Sequence, residues 1–366
     1  MKNIDFSNEE LLSKTIQFLR FPLIIGVVLI HSQVLGEGML RVSENPTLDF
    51  PIYSTISYLF SSIIARIAVP LFFFFSGFLF FYRVSFNFSV YINKLKKRCR
   101  TLLLPYLLWN LFAVVLTFAL HFFLSDMVVE GAESKLSFLD YLQSFWNYKQ
   151  FHRGAPMNGP LWFIRDLMIV MLASPLVFFF IKYSRQYGII ALGILWFFGW
   201  WPLVTGFDKN AWFFFSAGAY FSIHRNNFVK VFSPFLWIAL AIYIVSTILQ
   251  LYLWNYRRVD LLPYISNINI LSGIVLAISS SSVLLRIGLW KVNPFLSEAS
   301  FFIYVYHGLI VYRITSRAFM LLPHTDMALL FIYLMCPIVI LGIGLPLYYC
   351  LRKKLPRTTA LLMGGR

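Results

Sequence analysis

Apolar residues fall along this chain in long blocks, each close to the ~20 residues that a helix needs to cross the hydrocarbon of a bilayer. The blocks lie near 18–36, 57–82, 101–124, 160–182, 187–204, 211–224, 231–254, 267–289, 295–320 and 327–351, and the sixth is short. They predict an all-α fold, a polytopic transmembrane helix bundle of about ten spans. No internal repeat or low-complexity linker divides the pattern, so residues 1–366 read as a single integral-membrane domain without a fused soluble domain. The longest connection, 125–159, is polar and acidic at its start and predicts a small extramembrane cap. The first block follows a polar, mixed-charge segment and lacks a small-residue cleavage pattern, so it reads as the first span rather than a removable signal.

Composition agrees. Hydrophobic residues make up 59% of the 366 and charged residues 13%, against roughly 45–50% apolar in a soluble domain. The 40 Phe and 10 Trp suit lipid-facing surface and interfacial belts. The net charge of +16 need not imply nucleic acid, because cytoplasmic loops of membrane proteins carry excess Lys and Arg. With the N-terminus inside, 20 of the 31 basic residues fall on the cytoplasmic side and nine outside. That bias predicts both termini cytoplasmic and a multi-pass protein of the plasma (inner) membrane. Arg66 and Arg165 are left inside predicted spans. Cys99, Cys336 and Cys350 have neither disulfide nor zinc spacing, and no metal is expected.

Ionisable side chains within lipid cost ~2.5–3.5 kcal/mol each even on the gentler insertion scale, so each should face protein or water. Arg20 and His31 stand at the two ends of "RFPLIIGVVLIH". Eleven steps of ~100° close three turns with ~20° left over, so both side chains lie on one stripe, ~16 Å apart along the axis. They suit the two ends of one elongated ligand; the structural alternative is a cytoplasmic anchor and a helix-bridging histidine. By depth, His31, Arg66, Arg165, Asp166 and His307 fall in the outer half of the bilayer on four helices, which predicts a polar cavity there. The plainer alternative is an Arg165–Asp166 ion pair and an Arg66 bonded to backbone. Ser300, Tyr304 and His307, spaced i, i+4, i+7, share a face, whereas Glu298 lies half a turn out of phase with His307. The loop carrying Lys97, Arg98 and Arg100 suits phosphate groups, although orientation alone also produces such clusters.

A neutral histidine near mid-membrane can take the proton of a hydroxyl as it attacks an acyl carbonyl, since its unperturbed pKa lies near neutrality. Nearby donors would stabilise the developing oxyanion. The chain resembles the acyltransferase-3 family of multi-span membrane acyltransferases. The residues that carry this are Arg20 and His31 as Arg-x10-His, "VPLFFFFSGFLFF" (Val69 to Phe81), Lys97 to Arg100 for a basic R-x-x-R, "GPLWFIRDLMIV" (Gly159 to Val170), and Ser300, Tyr304 and His307 as S-x-x-x-Y-x-x-H. The resemblance implies transfer of an acyl group from a cytoplasmic acyl-coenzyme A, most simply acetyl-CoA as co-substrate, to a surface glycan or a lipid-linked sugar. Arg20 and His31 would be essential, and Lys97, Arg98 and Arg100 would bind the CoA phosphates. Arg66, Trp162, Arg165, Asp166, Ser300, Tyr304 and His307 are the candidates for substrate contact, with aromatic rings available to stack on sugars. Lys97 departs from the family pattern, exchanging a bidentate fork for a point charge. The rivals are a transporter or flippase for a polysaccharide precursor, for which paired broken helices or inverted repeats are expected, and a non-catalytic membrane subunit.

Overall fold

The computed structural model describes residues 7–35, 46–123, 138–148, 154–256 and 260–365, and all regular structure among them is helical. The long elements are α1 (Asn8–His31), α2 (Pro51–Phe81), α3 (Phe88–Ala119), α4 (Gly159–Leu172), α5 (Ser174–Phe197), α6 (Lys209–Ile223), α7 (Phe228–Asn255), α8 (Leu262–Arg286), α9 (Pro294–Leu321) and α10 (Asp326–Lys354). A short α11 (Pro356–Leu362) follows. Seven of these, α1, α2, α3, α7, α8, α9 and α10, are long and apolar enough to cross a membrane, and α4 with α5 adds an eighth if the bent pair is one span.

The departure from ten even spans is confined to the middle of the chain. The run 160–182 breaks by 64° at Ala173, where Pro175 stands in the first turn of α5 and the Tyr91 hydroxyl of α3 donates to the Leu172 carbonyl at 2.8 Å. That carbonyl has lost its helical donor, so the side chain satisfies it. At Arg185 the backbone reverses (φ 50°, ψ −132°) and two helical halves meet. The run 211–224 forms α6, which at 15 residues is shorter than a perpendicular crossing requires.

Contacts sort the helix ends into two sets. At one end Asn227, before α7, donates to the Asn8 carbonyl at 3.0 Å, Arg83 after α2 pairs with Glu9, Phe18 packs edge-on against Trp290, and Glu298 pairs with Arg352. At the other end the Tyr53 hydroxyl accepts from the backbone N–H of Val34 and Leu35. There Asp326, opening α10, accepts from the N–H of Ile52 and Tyr53, and Asn267 donates to the Phe197 carbonyl. α1 starts and α10 ends at the Asn8 end, called here the inner end.

Aromatic residues fill the interior rather than only the lipid face expected from composition. Phe73, Phe74, Phe75, Phe78, Phe80 and Phe81 of α2 are buried, and Phe228 meets Phe74 and Phe78 edge-on. The reason is close backbone approach. Gly77 lies so near Phe215 of α6 that a Cβ would sit 1.9 Å from its carbonyl oxygen, and Gly218 stands in the same relation to Phe74 of α2. Helices in lipid gain little from hydrophobicity and associate where small residues let backbones meet, leaving the flanking rings to interlock. Three turns at the inner end, at Arg83, Arg185 and Arg225, are built on residues with φ of 54°, 50° and 57°.

Gly77→Ala and Gly218→Ala each therefore drive a methyl into a backbone carbonyl and should lower stability by about 1–3 kcal/mol, the range of core overpacking. Thermal melting followed by fluorescence size exclusion in detergent reads this, and unchanged melting of both variants would contradict the reciprocal contact.

Candidate active site

The site is built on α1 and α9. Ser7 caps α1, accepting from the Glu10 N–H, and Asn293 caps α9 by accepting from the Leu296 N–H, so both helices start at the inner end. Along α1 the stripe Arg20, Ile24, Val27 and His31 runs from that end to the other. Ile24 and Val27 are buried. Their spacing keeps the polar residues apart, with an apolar stretch between them.

At the far end of the stripe the rings of His31 and His307 lie 5.3 Å apart, centroid to centroid, inclined at 46°. Tyr304 is one turn away on α9, its ring 6.1 Å from His307. His307 is fully buried. Its Nδ1 is 3.1 Å from the Ile303 carbonyl, while its Nε2 is buried without a hydrogen-bond partner. Tyr304 donates to the Pro160 carbonyl at 2.5 Å, pinning the start of α4 against α9. Asn158 adds to the same joint: its Nδ2 donates to the Val305 carbonyl at 3.1 Å and its backbone N–H donates to Asn110 Oδ1 at 3.1 Å. Gly308 leaves room for this side chain, since a Cβ there would lie 2.1 Å from Asn158 Oδ1. The motif analysis passed over Asn110 and Asn158, although an asparagine inside "LLWNLF" is itself a signal of a buried polar contact.

At the inner end Arg20 lines a half-open groove of about 330 Å³. Gln17 of α1, Tyr82 beyond α2, and Ser297 and Glu298 of α9 share it. Arg20 is half-buried and makes no hydrogen bond or ion pair among the described residues. Glu298 in the same groove is taken by Arg352, as expected from its being out of phase with His307. His31, Tyr304 and His307 do not line this groove; Arg20 is its deepest residue along the α1 stripe.

The basic segment stands at the same end. Lys94 donates to the Phe80 carbonyl, two residues before Tyr82 of the groove, and its ammonium lies 5.1 Å from the Phe80 ring centroid. Lys97 and Arg100 are exposed and Arg98 half-buried. The helix passes through a π-helical stretch at Cys99–Leu103. Such wide turns are rare and are frequently found at functional sites. α11 packs beside it, with Trp109 Nε1 donating to the Leu362 carbonyl at 3.1 Å.

The other candidates are placed as follows. Arg165 Nε donates to Asp166 at 2.8 Å, and its Nη1 donates to the carbonyls of Trp146 and Gly154 at 2.6 and 2.5 Å, with its guanidinium over the Trp146 ring. The pair holds the segment ahead of α4 in place, which is the structural alternative the sequence allowed. Arg66 is exposed, on a tight 3₁₀ turn (Ala65–Ile67) that follows a π-helical stretch (Tyr58–Ile64) in α2. The expected cluster of five ionisable residues thus resolves into a histidine pair, a buried ion pair and an exposed arginine. Ser300 donates to the Leu296 carbonyl of its own helix at 2.8 Å. Trp162 is half-buried, its ring 6.5 Å from that of Phe73.

The apolar helices define a polytopic membrane protein, with a buried His307 facing a half-buried His31 toward one end and an uncommitted arginine in a groove at the other. The family model described as an acyltransferase domain matches residues 14–349, and the chain belongs to that acyltransferase-3 family. The Succinoglycan biosynthesis protein ExoH of Rhizobium meliloti (strain 1021) is 30% identical over 234 residues, which is 61% of this chain and 57% of that protein. The chain thus spans less than two thirds of that relative's length. No solved structure matches the chain.

Arg165→Leu removes one member of a buried pair and strands Asp166, so it should cost about 3–5 kcal/mol. Replacing both by Leu should cost less than that single change. Chemical or thermal unfolding of the two variants checks the order, and the reverse order would assign Arg165 a role outside the ion pair.

Proposed function

We propose that this chain is a membrane-bound O-acyltransferase that moves an acyl group, in the simplest case acetyl, from cytoplasmic acyl-CoA to a hydroxyl of a cell-surface glycan or its lipid-linked precursor. The single observation that carries this reading is the α1 stripe, with a half-buried, uncommitted Arg20 facing a groove at one end and His31 against His307 at the other. A guanidinium without a partner calls for an anion. A long donor entering at the inner end would be gripped by its phosphates at Arg20 and at Lys97, Arg98 and Arg100, while its thioester reached toward His31.

In this reading the chain makes ten passes through the plasma membrane with both termini cytoplasmic, so that α5 and α6 are short crossings. The segregation of helix ends into two sets and the surplus of Lys and Arg near the inner one support it. The relative named for succinoglycan biosynthesis supports a glycan as acceptor. His31 acts as general base: it takes the hydroxyl proton as the oxygen attacks the acyl carbonyl carbon, and it returns that proton to the sulfur when the C–S bond breaks. Ester and free thiol result, and His31 ends neutral. The apolar residues Ile24 and Val27 keep water from the line between the two polar ends.

Two measurements test this. Acetyl-CoA should bind saturably to the protein in nanodiscs, at least about tenfold more weakly for Arg20→Ala, with desulfo-CoA as the unreactive comparison. His31→Ala should retain that binding and lose about 10²–10⁴ in acyl transfer, the range for a general base. Absence of binding by the wild type would replace the acyltransferase reading with that of a glycan transporter.

A further inference from the structure

We propose that His307 is the positioning residue for His31: it accepts the ring N–H of His31, and so decides which nitrogen of His31 faces the acceptor hydroxyl. This rests on the acyltransferase reading for its chemistry, but its geometry stands independently.

The inference begins with the proton on His307. Nδ1 lies 3.1 Å from the Ile303 carbonyl, and a carbonyl oxygen accepts but cannot donate. Nδ1 therefore carries the hydrogen in the neutral ring, which leaves Nε2 as a lone pair. That lone pair belongs to a residue with 0% exposure, and Nε2 has no partner among the described atoms. An unmet buried acceptor is destabilising, so its retention calls for an explanation.

The hydrogen bonds of the neighbouring groups go elsewhere, and only the second N–H of the Asn158 amide is left over. The Tyr304 hydroxyl is given to Pro160, and the Asn158 amide to Val305, with its backbone N–H to Asn110. Ser300 bonds to Leu296 on its own helix. What faces His307 from α1 is the ring of His31, 5.3 Å away between centroids. A centroid separation of 5.3 Å is the span of two imidazoles joined nitrogen to nitrogen, each ring centre lying about 1.2 Å from its nitrogens and an N–H···N hydrogen bond adding about 2.9 Å. Catalytic hydrogen bonds are commonly long without substrate and tighten when it binds.

The consequence for the reaction is direct. While His31 is neutral, its one N–H is held by His307 Nε2, and its other nitrogen is an acceptor aimed at the substrate hydroxyl. When the hydroxyl proton arrives, the imidazolium shares its first N–H with His307, and the new proton alone is passed to the leaving thiolate. His307 moves no net proton. It fixes tautomer and ring direction, as a carboxylate does for histidine elsewhere, but without placing an anion in the membrane.

The test uses the full chain in nanodiscs, with acetyl-CoA as donor, a β-glucan oligosaccharide as acceptor probe, and released thiol as the readout. His307→Leu should lower kcat by about 10², with the KM for acetyl-CoA within about twofold. His307→Gln, whose amide oxygen reaches the position of Nε2, should recover about tenfold of that loss. Equal impairment of both variants, or wild-type turnover by His307→Leu, overturns the proposal. Failure of the wild type to bind acetyl-CoA or release thiol would instead count against the acyltransferase reading. A second arm needs no turnover: ¹⁵N-histidine NMR of the wild type and His31→Leu should show His307 protonated at Nδ1, with its Nε2 resonance moved when His31 is removed. Protonation at Nε2, or an unmoved resonance, overturns the pairing.

Discussion

Within hydrocarbon a polar group has no water to fall back on, so each one must be satisfied by another part of the protein. That constraint organises this molecule more than any single apolar contact does. The start of α4 is tied to α9 through Tyr304 and Pro160, and through Asn158 with Asn110 and Val305. Arg165 spends its guanidinium on Asp166 and two loop carbonyls. On the other side of the bundle, Ser61 joins the Leu29 carbonyl of α1 to Tyr333 of α10. These joints fix the helices around α1, and among the described buried side-chain atoms left without a partner, Asn158 Oδ1 and His307 Nε2 both lie where α4 and α1 meet α9.

The same constraint separates the ends of the site. Charge is concentrated at the inner rim, where Arg20, Lys97, Arg98 and Arg100 can remain near water, and the histidines sit deeper, where an imidazole can be neutral and an arginine would need an ion-pair partner. Ile24 and Val27 lie between. An elongated substrate with charge at one end and a reactive carbonyl at the other matches this gradient of polarity along a single helix face.

Much of this was legible in the sequence, and the remainder was hidden for identifiable reasons. Helical periodicity alone placed Arg20 and His31 on one stripe, and the i, i+4, i+7 spacing alone placed Tyr304 and His307 together, because both are properties of one helix. The meeting of His31 with His307 depends on how α1 crosses α9, which periodicity does not encode. The Arg165–Asp166 ion pair was one of the two readings the sequence offered; the carbonyls of Trp146 and Gly154 that also bind this guanidinium are backbone atoms of a loop and have no signature in residue type. Gly77 stood inside a recognised motif, yet its meaning, a carbonyl of α6 where a side chain would be, needed Phe215 in place. The buried Phe residues of α2 looked lipid-facing because composition cannot tell a surface in oil from a core of the same polarity.

The turns at Arg83, Arg185 and Arg225 carry a consequence of a different kind. Left-handed backbone at a non-glycine residue costs roughly 1–2 kcal/mol, and all three turns use arginine where glycine would be easier. Each follows or interrupts a helix at the same end of the bundle, where a cation complements the partial negative charge of a helix C-terminus. Conformational ease and electrostatic complement thus pull in opposite directions at the same three positions. Glycine at these turns would relax the backbone and remove three positive charges from one end of the bundle.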